Sequence, residues 1–336
     1  MRCCVKLKFG LQFLQAGDLR MERDPSVIEY HELRRADFPS FEKVMLQSVG
    51  ALERATGLDQ FGLAQLQQLH HRGIWTLFTF MRALGRAPIR IFVGVDRGQV
   101  LGTASVLLLP NAGYIVGVAT DSPTRGRGIA THLLEQTRIL AQRKDKSWLL
   151  LDVESENETA IRVYRRLGYE ERARFGWYVG STPTMSTNPA GTAMEVNRSE
   201  MSEVAAWVDH NRPPTIRDPM PATSRRLSHF EIMLRMPRTP ARTWKLSSSG
   251  QTTAVVRGSY LPTVRTGYVI PAAWNPALSG DSLLSLVTPA VSWIRSLGAT
   301  RTVVVVSDPP GAWEPAMAAL GLPRVVSSTL MVRPSA

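Results

Sequence analysis

YIVGVATDSPTRGRGIATHLLEQTRILAQRKDKSWLLLDVESENETAIRVYRRLGY, residues 114–169, is the stretch whose reading decides the fold. It opens on an apolar, β-branched run, Tyr114 to Thr120, which predicts a buried strand. A short loop with Pro123 follows, and then Arg125-Gly126-Arg127-Gly128-Ile129-Ala130 leads into a helix. Its apolar positions Ile129, Leu133, Leu134, Ile139 and Leu140 recur at helical spacing. Trp148 to Val153 predicts a second buried strand. Asn157 and Thr159 then start a helix with Ala160, Ile161, Tyr164 and Leu167 on one face, and Gly168 stands where a C-cap favours left-handed backbone.

Gly126 and Gly128 remove Cβ atoms at the start of a helix, so a phosphate can approach the backbone N–H groups there. Arg125 and Arg127 add cationic donors that suit phosphate oxygens. A plain basic turn would show the same residues, so the loop alone does not assign a ligand. A dinucleotide-binding loop fits poorly. Its glycines should follow the strand directly, whereas Asp121 to Arg125 intervene, and Thr131 stands where the third glycine belongs. An ATP-type P-loop fails because no Gly-Lys-Ser/Thr follows.

Arg-x-x-Gly-x-Ala at 125–130 resembles the pyrophosphate-binding signature of the GNAT superfamily of acetyl-CoA-dependent N-acetyltransferases. Asn157-x-x-Ala160-Ile161-x-x-Tyr164-x-x-Leu167-Gly168-Tyr169 is similar to the second GNAT motif and stands at the expected distance downstream. The resemblance covers residues 25–182. It implies that backbone groups of Val118, Ala119 and Thr120 pair with the pantetheine arm of acetyl-CoA. It implies further that Arg125, Gly126, Arg127, Gly128, Ile129 and Ala130 hold the pyrophosphate, and that Asn157 contacts the pantetheine or thioester. Tyr164 would be the general acid that protonates the departing thiolate. A phenol with a pKa of about 10 is suited to that task without prior ionisation. A core tyrosine on a helix would carry the same spacing.

At 336 residues the chain is long enough for two domains, and 44% hydrophobic with 20% charged residues describes an ordinary globular protein. No apolar run reaches the roughly 18–20 residues that span a membrane. The formal net charge is +12, but the arginines are spread along both halves with no dense basic block and no aromatic platform. That pattern predicts a solvated basic surface, favourable to polyanionic CoA, rather than a nucleic-acid groove. Both cysteines, Cys3 and Cys4, lie at the N-terminus, so no disulfide framework or cysteine-based zinc site is expected. The adjacent His70 and His71 diverge on a helix, and no metal is expected. This pattern suits a cytoplasmic location.

Residues 1–24 read as a disordered extension or a misplaced start, with Met21 as the alternative first residue. Gln12 and Gln15 interrupt the apolar run Phe9 to Leu14, against a targeting signal. Val27 to Leu33 alternates as a first strand. Phe38 to Leu52 is amphipathic, and Leu63 to Leu84 is a longer helical region. Trp75, Phe78, Phe80 and Met81 there line either an acceptor pocket or the core, and aromatic residues at helical spacing favour the core. Ile89 to Val95, a turn at Asp96-Arg97-Gly98, and Val100 to Leu109 predict a hairpin. Arg172 to Gly180 is the closing strand of the first half, and residues 183–191 are a linker.

Residues 192–336 repeat the same order in degenerate form. Gly267-Tyr268-Val269-Ile270 echoes Gly113-Tyr114-Ile115-Val116, Val303 to Val306 echoes Leu150 to Val153, and Leu320-Gly321 echoes Leu167-Gly168. A nearly constant offset predicts tandem duplication. The working residues do not recur. Ser279 stands opposite Arg125, Ser282 opposite Gly128, Pro310 opposite Asn157 and Met317 opposite Tyr164, while Asp281 brings a negative charge to the helix start. Arg212 to Arg242, rich in Pro and Arg, has no counterpart.

The expected fold is therefore α/β (α+β): two tandem GNAT-like domains, 25–182 and 192–336, each a mixed, twisted central sheet flanked by helices. The expected activity is direct transfer of acetyl from acetyl-CoA to a primary amine, with Tyr164 as acid. Glu154 is the candidate base or water-positioning group, and a solvated strand-end carboxylate is its alternative. His31 and Asp121 are weaker candidates. The acceptor is a small-molecule or peptide amine, and the protein is a monomer or homodimer. Two other classes remain open: a non-catalytic CoA-sensing module, and a basic nucleic-acid-associated protein whose binding would fall steeply with salt.

Overall fold

The computed structural model describes residues 28–59, 71–84, 87–184, 193–212, 214–223, 226–228, 230, 239–307, 311 and 313–336. Residues 1–27, with the start of the expected first strand, residues 60–70, residues 185–191 of the expected linker, the segment 231–238 and Pro310 lie outside the described residues. In the first half the strands are β1 (Glu29–Glu32), β2 (Ile89–Asp96), β3 (Gln99–Leu108), β4 (Ala112–Thr120), β5 (Trp148–Glu154) and β6 (Glu170–Ser181). Its helices are α1 (Phe38–Gln47), α2 (Ala51–Thr56), α3 (Arg72–Ala83), α4 (Ile129–Arg143) and α5 (Glu158–Arg166). The second half holds strands β7 (Met194–Glu195), β8 (Ala241–Ser248), β9 (Gln251–Leu261), β10 (Thr266–Trp274), β11 (Arg301–Ser307) and β12 (Arg324–Pro334). Its helices are α6 (Met201–His210), α7 (Pro214–Arg217), α8 (Gly280–Ser296) and α9 (Trp313–Ala319).

Local sequence accounts for most of these boundaries. The β2–β3 hairpin turns on Arg97 and Gly98, both with positive φ, the two-residue turn that matches strand twist. The amphipathic run from Phe38 to Leu52 is two helices rather than one. At the break, the Glu53 carboxylate accepts a hydrogen bond from the Gly50 N–H at 2.9 Å, which starts α2 afresh. Asn157 Oδ1 accepts from the Ala160 N–H at 3.1 Å and caps α5.

The repeat appears in three dimensions. β4 and β5 are parallel and pair only from Ala112↔Trp148 to Ile115↔Leu151; β10 and β11 are parallel and pair only from Thr266↔Arg301 to Val269↔Val304. Beyond those four rungs each pair splays apart. α5 and α9 end in the same motif. The Tyr164 carbonyl accepts from the N–H groups of Leu167 and Tyr169, and the Met317 carbonyl accepts from those of Leu320 and Leu322. Met317 thus occupies the position of Tyr164. The loop before the long helix differs from the constant-offset alignment. Residues 121–128 join β4 to α4, whereas only 275–279 join β10 to α8. Three residues are missing, so Ser279 falls opposite Gly128 at the helix cap instead of opposite Arg125.

The two halves do not form separate sheets. All strands join one 12-stranded sheet in the order β1-β2-β3-β4-β5-β12-β6-β11-β10-β9-β8-β7. Each half gives its last strand to the other. β12 lies between β5 and β6, and β6 lies between β12 and β11, antiparallel throughout. Side chains follow the exchange. Met331 of β12 is fully buried with Leu149, Leu151 and Tyr169 of the first half, while Tyr178 of β6 is fully buried in the core of the second. The Tyr178 hydroxyl donates to Glu314 Oε1 at 2.8 Å, and Trp177 Nε1 donates to Ser328 Oγ at 2.8 Å. Each such large apolar side chain contributes roughly 1.5–3 kcal/mol on burial.

Candidate active site

The first splay opens a cleft of about 270 Å³ between Gly117 and Val118 of β4 and Asp152 to Glu154 of β5. Helices reach it from both faces of the sheet. α5 packs with Leu149, Leu151 and Val153 and supplies Ala160 and Tyr164, with Asn157 at its cap. On the other face Leu52 and Leu58, from α2 and the turn after it, pack with Tyr114 and Leu150, and α2 supplies Glu53.

Tyr164 is 8% exposed, and its ring meets Tyr169 edge-on with centroids 5.9 Å apart. Burial pushes its phenol up to about 12, so it stays protonated across the neutral range. Asn157 commits its carbonyl oxygen to the helix cap and keeps the two N–H donors of its amide. Glu154 is half-buried rather than solvated: its Oε1 accepts from the Leu52 N–H at 2.8 Å, in the first turn of α2. Beneath the splay, the Tyr114 hydroxyl donates to Asp152 Oδ2 at 2.6 Å. Burial, reinforced by the Asp152 charge, holds that phenol well above its usual value.

The glycine loop sits at the N-terminus of α4, a helix of 15 residues. Gly126 and Gly128 have φ of +81° and +78°, and a Cβ at either would meet open space. The arrangement fits a phosphate group. Both glycines take the left-handed backbone that side chains disfavour, the space a Cβ would fill beside each is clear, and no acidic residue stands in the first turn. Arg125 and Arg127 are both exposed, while the Ile129 side chain is buried in the core and leaves only its backbone to the loop.

Val118, Asn157, Glu154 and Tyr164 therefore meet at one cleft. The Ala119 side chain turns into the core beside α1, so its contribution toward the splay is its backbone. Thr120 lies at the outer end of β4. His31, on β1, has Nδ1 3.8 Å from Asp37 and does not line the cleft; nor does Asp121, whose N–H bonds to the Leu101 carbonyl. Trp75 packs against the core beside α1, and Phe80 is 59% exposed. Sequence reasoning missed Glu53, although Gly50-x-x-Glu53 is a helix-start pattern that could have marked it. Among the described residues no cluster of His, Cys, Asp or Glu could hold a metal ion, and no helix is long and apolar enough to cross a membrane.

Residues 59–169 match the model of the "Acetyltransferase (GNAT) family". The chain is 29% identical over 100 residues to an IAA acetyltransferase of Azospirillum brasilense, covering 29% of this chain and 65% of that protein. It spans 27% and 65% of the length of the curated relatives it matches. Among solved structures, a GCN5-related N-acetyltransferase from Sphaerobacter thermophilus is similar in fold, with TM-score 0.59 and 13% identity, covering 92% of this chain and 96% of that one. A tandem GNAT protein from the clavulanic acid biosynthesis pathway is also similar, with TM-score 0.55 and 12% identity, covering 92% and 99%.

Proposed function

We propose, from the match of residues 59–169 to the GNAT acetyltransferase family model, that the first half, residues 25–182, transfers acetyl from acetyl-CoA to a primary amine by direct attack. The observation that carries this reading is the single cleft where the β4–β5 splay, Asn157 and a buried, protonated Tyr164 meet, with the open glycine loop at the helix beside it. Backbone groups of Val118, Ala119 and Thr120, unpaired on the β5 side, would take the pantetheine as an added strand. Their N–H groups would also steady the developing oxyanion. Residues 125–130 would hold the pyrophosphate. Tyr164 would protonate the leaving sulfur. A phenol raised by burial is a weaker acid, but the same water-poor cleft also makes the thiolate more basic. Thiol release from acetyl-CoA across a panel of amines, including diamines, amino acids and a peptide N-terminus, tests the reading; no release with any amine would refute it.

The loop assignment has its own test. Gly128→Asp puts a carboxylate at the helix start, and its affinity for acetyl-CoA is expected to fall by at least about tenfold. Gly128→Asn, which shares its shape and tolerance of left-handed backbone, should lose less. Calorimetric titration of the two folded variants compares them, and equal affinities would remove the phosphate from this loop.

The second half would bind no acetyl-CoA. Its splay survives as a cleft of about 330 Å³, but Val305 and Ser307 stand at the β11 positions that answer to Asp152 and Glu154. Arg212 Nε donates to the Ala272 carbonyl at 3.3 Å, on the backbone that a pantetheine would use. The loop before α8 is short, Ser279 caps the helix with its own hydroxyl, and Asp281 follows in the first turn. Native mass spectrometry is expected to show one acetyl-CoA per chain, and two would overturn this assignment.

A further inference from the structure

Two carboxyls converge on the first turn of α2, at the mouth of the proposed acetyl-transfer cleft. Glu53 Oε2 accepts from the Gly50 N–H at 2.9 Å, and Glu154 Oε1 accepts from the Leu52 N–H at 2.8 Å. A Cβ on Gly50 would stand 2.5 Å from Glu154 Oε1 and 2.7 Å from Glu53 Oε2, so both oxygens crowd the space that the glycine leaves empty. A side chain there would have to displace one carboxylate or both, so the glycine leaves room for the two acids to sit together. Glu53 belongs to the helix on one face of the sheet, and Tyr164 to the helix on the other; both line the gap where the sheet parts.

That disposition suits attack on a thioester. The amine approaches the trigonal carbon from one face, and its proton and the sulfur's proton have to be handled by different groups. Resting on the acetyl-transfer reading above, we infer that Glu53 is the base that takes the acceptor amine's proton, and that Glu154 is a positioning residue that anchors α2 and tunes Glu53. In the balanced step, the amine nitrogen bonds to the carbonyl carbon and gives one proton to the Glu53 carboxylate. The carbon–sulfur bond breaks, its electron pair stays on sulfur, and sulfur takes the Tyr164 proton. The products are the N-acetylated amine and free thiol. The proton on Glu53 then returns through water to the Tyr164 phenolate.

The surroundings of Glu53 agree with this role. Burial is the largest influence and raises its carboxyl from the ordinary value; the Glu154 charge pushes the same way. The backbone N–H groups at 50 and 53 and the Arg54 charge oppose the rise. Arg54 itself is turned to the Val49 carbonyl at 2.6 Å. The other acids lining the cleft are Asp152 and Asp59. A carboxylate whose pKa is raised above its ordinary value holds a transferred proton more readily.

The test is the pH profile of kcat/KM with the best amine acceptor, for the full chain and three variants. Glu53→Gln keeps the hydrogen bond to Gly50 and removes only the ionisation. It is expected to lower kcat/KM on the order of 10²-fold, erase the acidic limb of the profile and leave acetyl-CoA affinity unchanged. Glu53→Asp should recover part of the rate with the limb restored. Glu154→Gln should keep the limb but move it to lower pH, because a negative neighbour has been removed. Wild-type rate and limb in folded Glu53→Gln overturn the assignment of Glu53 alone. The same holds if the limb disappears in Glu154→Gln instead. No transfer by the wild-type chain would overturn the acetyl-transfer reading and this inference with it.

Discussion

Residues 25–182 produced alone are expected to be insoluble or unfolded, although they contain the whole matched acetyltransferase segment. In that fragment β6 would have no neighbour, because its two partners, β11 and β12, lie in the second half. β5 would keep β4 for four rungs and lose β12 along its other edge. The first core would lose Met331, and Trp177 would lose its partner Ser328. Open strand edges and an uncovered apolar face both favour aggregation. The loss of several fully buried side chains at roughly 1.5–3 kcal/mol each rivals the whole stability of a domain, about 5–15 kcal/mol. Co-expression with 183–336 should restore soluble, active protein. Soluble yield and far-UV circular dichroism provide the readout, and a soluble, active 25–182 fragment would refute the expectation.

Tyr164→Phe is expected to lower kcat by 10²–10⁴-fold while acetyl-CoA affinity stays nearly the same. The change removes one oxygen and keeps the ring in its edge-on contact with Tyr169, so the melting temperature should barely move. The two readouts then separate an acid from a packing residue. Because burial raises the phenol to about 12, it remains the protonated donor throughout the neutral range. Any decline in wild-type activity above neutral pH should therefore have another origin and persist in the variant. Wild-type turnover in Tyr164→Phe would assign the residue to the core.

The elements of residues 89–169 were legible because each is specified locally: a left-handed turn at Arg97 and Gly98, an apolar period, a cap at Asn157, a glycine stop at Gly168. The duplication was legible for the same reason. The exchange of β6 and β12 was not. Both strands carry the apolar pattern that either neighbour would satisfy, and pairing is settled by long-range packing such as Met331 and Tyr178, which no local window contains. At the site, the motif residues were legible as residue types. Glu53 was hidden because its relation to Glu154 depends on a helix break at Gly50 and on two elements 102 positions apart coming together. The three-residue deletion before α8 was hidden because a constant offset slides over it.

The exchanged strands also impose a timetable on biosynthesis. Trp177 of β6 is hydrogen-bonded to a serine 151 positions later, and Ser155 to a threonine 174 positions later. At roughly 5–20 residues per second, those partners leave the ribosome on the order of ten seconds or more after the strands that need them. During that interval the edges of β5 and β6 are open, and no local contact can close them early. Catalytic competence of the first half would thus arrive only with the last dozen or so residues of the chain. A stalled or prematurely terminated product would then carry the full acetyltransferase signature and be a substrate for chaperones and proteases rather than an enzyme.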